Sequence, residues 1–208
     1  MNELEFYRCR IQYDERVLMP RQESEVMVFY VLERMKNCPG GVFLDLCTGS
    51  GCLGLAIKKA RPDMQVILLD ISLDALTVAK HNAHLNHLDV EILQGYLLEP
   101  LGGRKVDYVI CNPPYVSDEE YEHLDRSVRD YEPKLALVGG KEGLDFYSTL
   151  SKTLKSHIKD GGKIFFEIGK DQGGKVLELF SDPCWCNQEV IKDWAGHDRF
   201  VFLESKLG

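Results

Sequence analysis

The residues of this sequence best suited to chemistry are Asn112, Pro113 and Tyr115, in the stretch Asn112-Pro113-Pro114-Tyr115. They follow Val106-Asp107-Tyr108-Val109-Ile110-Cys111, a short apolar run with β-branched residues that reads as a buried strand. Two prolines then forbid both another ladder hydrogen bond and a helix, so the chain stops extended with a polar side chain at a strand's carboxyl end. In open α/β sheets that is where ligands bind. The Asn112 side-chain oxygen and a neighbouring backbone carbonyl such as that of Pro113 can accept both hydrogens of a planar –NH2 group, and Tyr115 offers a flat face beside it. Two acceptors orient the nitrogen and favour its pyramidal, nucleophilic form, which suits methylation of an amide or aromatic amine. A proline-rich turn after a strand is the competing reading of these four residues alone.

A second constellation lies upstream. The apolar strand Val42-Phe43-Leu44-Asp45-Leu46 opens onto Cys47-Thr48-Gly49-Ser50-Gly51-Cys52-Leu53-Gly54, and Leu55, Ala56 and Ile57 continue at helical spacing. Strand, glycine-rich turn and helix bring backbone N–H groups close to a nucleotide. The next strand, Val66-Ile67-Leu68-Leu69, ends in Asp70, an acid placed to hold ribose hydroxyls. Asp45, four residues before Gly49, separates a dinucleotide from S-adenosylmethionine: it would meet a cationic amino group and repel a pyrophosphate. The bland alternative is a buried strand-end carboxylate bonded to backbone.

Composition narrows the class. The 208 residues suit one α/β domain, and 44% hydrophobic with 28% charged content is ordinary for a globular protein. No apolar run reaches membrane-spanning length and the start lacks a signal pattern, so a cytoplasmic protein without membrane contact is expected. Seven cysteines, an odd number, read as reduced thiols. A net charge of −8 has the wrong sign for affinity built on phosphate contacts, which argues against direct nucleic-acid binding. His81, His84 and His87 drift around their helix without a carboxylate partner, so no metal site is expected.

The elements that must position these residues follow in order. Glu5 to Leu18 alternates as a β-hairpin turning near Asp14-Glu15, and a helix led in by Pro20 runs to Met35. Beyond the two strands above, Ser72 caps a helix and Val90 to Leu93 forms a third strand leading to Tyr96. Ser117 to Glu142, long for a connection, is read as a wall or lid over the site. A helix spans Leu144 to Ile158, Asp160-Gly161-Gly162 turns the chain, and Lys163 to Ile168 is a fifth strand. After a helix from Asp171 to Phe180, two strands, Glu189 to Trp194 and Phe200 to Glu204, are joined so briefly that the last must run antiparallel. We divide the chain into a hairpin linker, 1–20, and a catalytic domain, 21–208.

Taken together, these residues resemble the HemK/PrmC family of peptide-chain release factor glutamine N5-methyltransferases. Beyond the two constellations, the likeness rests on Leu18-Met19-Pro20-Arg21 with Glu23 and Glu25, and on Tyr131-Glu132-Pro133 through Gly139-Gly140. It extends to Gly143-Leu144 with Tyr147, Glu167-Ile168-Gly169 with Gln172, and Asp193, Gly196 and Arg199. The resemblance implies a Rossmann-like, seven-stranded S-adenosylmethionine-dependent methyltransferase fold, last strand antiparallel, preceded by a short β-hairpin. It implies a cofactor held by Asp45, Thr48, Gly49, Gly51, Asp70, Ile71, Tyr96 and Asn112, and a substrate amide held by Asn112 and Pro113 with Tyr115 packed against it. The reaction would be in-line displacement at a sulfonium without a metal, and the partner a release factor. A ribosomal-protein glutamine, a nucleic-acid adenine N6 and a non-catalytic binding module are the rival readings. Two features depart from the family pattern. Tyr96 stands where an acid is usual, which bears on adenine binding, and the sequence begins in the hairpin where the family first carries a small helical domain, which bears on docking.

Overall fold

The computed structural model describes all residues, Met1–Gly208. Its centre is a seven-stranded sheet in the order β5-β4-β3-β6-β7-β9-β8. β3 (Val42–Leu46), β4 (Gln65–Asp70), β5 (Glu91–Gln94), β6 (Val106–Cys111) and β7 (Ile158–Glu167) are mutually parallel. β9 (Asp198–Ser205) inserts antiparallel between β7 and β8 (Trp185–Lys192), as the short final connection requires.

Helices cover both faces, which is why the central strands read as nearly continuous apolar runs. Alternate residues of each strand feed two clusters of 23 buried residues each. One contains Phe43, Val66 and Ile110 with α1 (Gln22–Met35), α2 (Cys52–Ala60) and α3 (Leu73–Leu85). The other contains Leu44, Ile67 and Val109 with α7 (Asp145–Thr153) and α8 (Gly173–Leu179). The segment between β6 and α7 is locally folded into α4 (Asp118–His123), α5 (Arg126–Arg129) and α6 (Lys134–Leu137), tied back by a Val116–Val138 bridge.

The structure corrects two boundaries. The hairpin is formed by β1 (Asn2–Phe6) and β2 (Cys9–Tyr13), and it turns at Tyr7-Arg8, not near Asp14-Glu15. Tyr7 and Arg8 adopt φ of 43° and 67°, the left-handed pair a two-residue hairpin turn demands, without the Asn or Gly that would advertise it. Asp14 instead accepts the backbone N–H of Arg16 at 3.2 Å and ends the strand. Further on, α7 stops at Thr153, and Ile158 belongs to β7, paired with Val106. Gly161-Gly162 therefore lies in a bulge within β7 and does not precede it. The Ser205 hydroxyl holds the bulge, donating to Lys159 O at 2.5 Å and accepting from Gly162 N at 2.9 Å.

The hairpin packs Phe6, Cys9 and Ile11 into the same cluster as α1 and α2, so it is continuous with the main core. Its lateral anchor is polar. Asn82 of α3, fully buried, accepts the Gln12 N–H and donates to Gln12 O and Ser50 O, each at 2.9 Å. One side chain thus joins the hairpin to the glycine loop after β3. We expect Asn82→Ala to leave three backbone groups without partners and cost roughly 2–4 kcal/mol. That corresponds to a fall in Tm of roughly 5–15 °C for a chain of this size, checked by thermal unfolding.

Candidate active site

The order of the strands creates the site before any side chain is considered. From β3 the chain runs outward through β4 and β5, then returns to start again with β6 on the other side. The loops after β3 and β6 therefore diverge, and a crevice opens above their carboxyl ends. The pairing of Leu46 with Cys111, and of Leu46 with Leu69, sets the loop after β3 between Asn112 and Asp70. A cavity of about 1070 Å³, counted to its open mouth, lies there.

Six of the sequence-predicted residues line it: Thr48, Gly49, Asp70, Ile71, Tyr96 and Asn112. Asp45 and Gly51 lie behind this lining, Asp45 with no exposed surface at all. Its Oδ2 accepts the Thr48 hydroxyl at 2.5 Å and the Gly54 N–H at 2.8 Å, while Oδ1 is buried without a partner. Burial pushes this carboxyl up to about 7, opposed by the bonds from Thr48 and Gly54. Gly54 is required by contact: a Cβ there would stand 2.4 Å from Leu68 Cδ2 and 2.9 Å from Asp45 Cβ. Gly51, at φ 82°, begins α2, and Gly49, at φ 54°, faces open space.

Asp70 organises the opposite wall. Its Oδ2 accepts the Gly49 N–H and its Oδ1 the Ser72 N–H, both at 2.9 Å, and desolvation raises its pKa despite them. Each oxygen retains a lone pair for a hydroxyl from the cavity. Ile71 and Tyr96 are 47% and 43% exposed at the rim, where together they can flank a flat ring.

The Asn112 to Tyr115 segment is clamped by its backbone. Gln172 Nε2 donates to Tyr115 O at 3.0 Å, and Gln172 Oε1 accepts from Gly169 N at 2.8 Å. Val116 N donates to Leu137 O and Gly139 N to Val116 O, both at 2.9 Å. The approach is so close that a Cβ on Gly139 would lie 2.3 Å from Pro114 O, and one on Gly143 2.0 Å from Tyr115 O. Asn112 and Pro114 line the cavity, whereas Pro113 is buried and Tyr115 half-buried beside it. Behind Tyr115, Glu167 is buried, accepts the Ser24 hydroxyl at 2.7 Å and is pushed up to about 7 by desolvation.

Sequence reasoning missed several residues of this site. Arg16, Val17, Leu18 and Pro20, at the exit of the hairpin, form one wall, and Phe146 of α7 another. Only the Leu18-Met19-Pro20-Arg21 match hinted at the first; nothing local marked Phe146. The long connection does act as a wall, through Pro133, Leu135 and Ala136.

The donor set fits an amino-acid-bearing nucleoside. The unpartnered Asp45 oxygen suits a cationic amino group, the open backbone at Gly49 leaves room for a ligand, and Asp70 presents acceptor oxygens suited to hydroxyls. Sheet order and site together define an S-adenosylmethionine-dependent methyltransferase. Solved structures share the fold: a methyltransferase from Pyrococcus furiosus at TM-score 0.70 and 19% identity, covering 95% of this chain and 89% of that one. The Thermus thermophilus 16S rRNA N2 G1207 methyltransferase, in complex with AdoMet and guanosine, aligns at TM-score 0.66 and 16% identity, over 99% of this chain and 50% of that one. The Methyltransferase small domain family matches residues 27–135. The release factor glutamine methyltransferase of Chlamydia trachomatis serovar L2 is 40% identical over 202 residues, 97% of this chain and 69% of the relative. The chain belongs to the release factor glutamine methyltransferase family.

Asp45 also makes a stability prediction. The folded carboxyl keeps its proton to about pH 7, whereas an unperturbed one loses it near 3.8. Between those values the native state binds more protons, so this group's contribution is full below 3.8 and is lost as pH rises toward 7. Asp45→Asn should therefore stabilise the ligand-free protein by on the order of 2 kcal/mol at pH 8 and by less at pH 5. Denaturant titrations at the two pH values check this, and an equal gain at both would contradict it.

Proposed function

We propose that this chain transfers a methyl group from S-adenosylmethionine to the side-chain nitrogen of the glutamine in the Gly-Gly-Gln loop of peptide-chain release factors. The observation that carries the reading is the placement of Asn112, at the carboxyl end of β6, directly beside the Asp45–Gly54 loop through the Leu46–Cys111 pairing. When bound, the cofactor supplies an electrophilic methyl group. Asp45 holds its amino group through the free Oδ1, Gly49 leaves room for the methionine part, and Asp70 takes the ribose hydroxyls. Ile71 and Tyr96 flank the adenine. Tyr96 offers a stacking surface at the rim.

Asn112 Oδ1 and the Pro113 carbonyl accept the two amide hydrogens of the substrate. Drawn out of plane by two acceptors, the nitrogen directs its lone pair toward the methyl group, and Tyr115 fixes the amide's tilt. The proton lost afterwards passes to water, so we assign no general base. The main catalytic contribution is alignment, held by the Gln172 clamp on Tyr115 and by the glycine contacts of the wall.

Three outcomes test this. Asn112→Ala should lower kcat for release factor by about 100-fold or more while the cofactor Kd stays within a few-fold, read by mass spectrometry and calorimetry. Release factor, ribosomal protein and adenine-bearing DNA offered side by side should yield a methyl only on the release-factor glutamine; label in DNA alone would sink the assignment. Because the amino group binds ionised Asp45, cofactor affinity should rise with pH up to about 7 and then level off, and Asp45→Asn should abolish that slope.

A further inference from the structure

A second buried oxygen without a partner lies on the connection that walls the site. Glu132 sits between α5 and α6, its side chain 9% exposed. Its Oε1 accepts Arg21 Nη2 at 2.5 Å, and its Oε2 is buried with no hydrogen-bond partner. Arg21 is the residue before α1 and lines the cavity, as does Pro133 next to Glu132. The ion pair therefore spans from the start of α1 to the wall over the site. It stands near Tyr115, since the Arg21 charge acts on the Tyr115 hydroxyl. Burial raises the Glu132 carboxyl while Arg21 pulls it down, and its second oxygen has no hydrogen-bond partner. A buried acceptor in this condition is costly unless a donor arrives.

The chemistry of that donor is constrained. Arg21 already balances the carboxylate's charge, so a second cation would leave a net positive charge in a desolvated place, whereas a neutral N–H satisfies the oxygen without changing it. A polypeptide presents such a group at every residue except proline. The backbone of a nucleic acid presents phosphate acceptors, which a carboxylate repels. Close approach to a recessed oxygen also needs a backbone without a side chain in the way, and glycine meets that condition.

We propose that Glu132 is a substrate-binding residue whose free Oε2 accepts a backbone N–H of the polypeptide beside the target glutamine, from one of the two preceding glycines, with Arg21 holding the carboxylate in place. This rests on the release-factor reading above and adds to it a physical reason for the glycines. Asn112 and Pro113 grip the side chain that is methylated, and Glu132 reads the main chain that carries it.

Steady-state methylation of intact release factor by wild type, Glu132→Ala and Glu132→Gln tests this, with cofactor Kd measured calorimetrically on each. Both variants should raise the release-factor KM by about tenfold or more, with kcat and cofactor Kd within about twofold. Glu132→Gln should be no milder than Glu132→Ala: with its carbonyl turned to Arg21, its –NH2 meets the incoming N–H donor to donor. A Gly-Gly-Gln loop in which the relevant glycine is replaced by glycolic acid, exchanging N–H for an ester oxygen, should cost the wild type about the same factor and Glu132→Ala nothing further. Parallel loss of cofactor affinity in both variants, or kcat falling with KM unchanged, would show that Glu132 only braces the wall and would overturn the proposal. Wild type that transfers methyl to none of the substrates overturns the release-factor reading, and this one with it; transfer with KM unmoved in both variants overturns only the role of Glu132.

Discussion

Everything at this site depends on the parallel pairing of β3 with β6. Leu46 opposite Cys111 is the last rung of that ladder, and it brings two loops of distant sequence origin to adjacent positions at one edge of the sheet. The end of β3 carries the buried carboxylate and the loop after it the glycines; the loop after β6 carries Asn112. A parallel ladder fixes both at once, because the side-chain period of two gives no freedom to slip by one residue without turning each core side chain outward. The two apolar clusters on opposite faces hold that register. The two loops are thus positioned by the core, and they add local shape to the cavity between them.

Two carboxylates, Asp45 and Glu167, are buried within this framework and pushed up to about 7. Neither has the arrangement expected of a group retained for stability, since a buried acid is costly and an apolar isostere would cost less. Asp45 keeps one oxygen without a partner, and its remaining bonds shape the glycine loop. Glu167 instead uses its Oε2 to accept Ser24 at the start of α1, while its backbone carbonyl accepts the Tyr147 hydroxyl at 2.6 Å. The end of β7 is thereby tied to both helical layers, directly behind Tyr115. One buried acid leaves an oxygen unpartnered above the glycine loop, and the other fixes the end of β7 behind Tyr115.

The segment between β6 and α7 shows how a mostly polar, charged stretch becomes part of a binding site. Its capping box, in which the Ser117 hydroxyl accepts the Glu120 N–H and the Glu120 carboxylate accepts the Ser117 N–H, makes α4 locally self-sufficient. The backbone contacts of Gly139 and Gly143 press the segment onto Pro114 and Tyr115. Its apolar residues, Pro133, Leu135 and Ala136, then face the cavity instead of the core. A wall of this kind has its position set by main-chain contacts and is free to vary in its charged outer surface.

The sequence by itself determined the alternation of strands and helices, the glycine loop, the acids at the ends of β3 and β4, and the antiparallel last strand. Each is a local signal, carried by an apolar period, a turn residue or a connection too short for a crossover. What it could not reveal were features whose cause lies elsewhere in the chain. The hairpin turns at Tyr7-Arg8 because packing of Phe6, Cys9 and Ile11 on α1 overrides the turn preference of its own residues. Gly161-Gly162 forms a bulge because Ser205, over forty residues away in sequence, supplies the partners for its backbone. Arg16 to Pro20 and Phe146 joined the site, and Asp45 and Glu132 each kept an unpartnered oxygen, only once distant elements had closed around them. Burial and the pairing of distant groups are properties of the assembled structure, and they decide which of the polar residues written in the sequence is left free to bind.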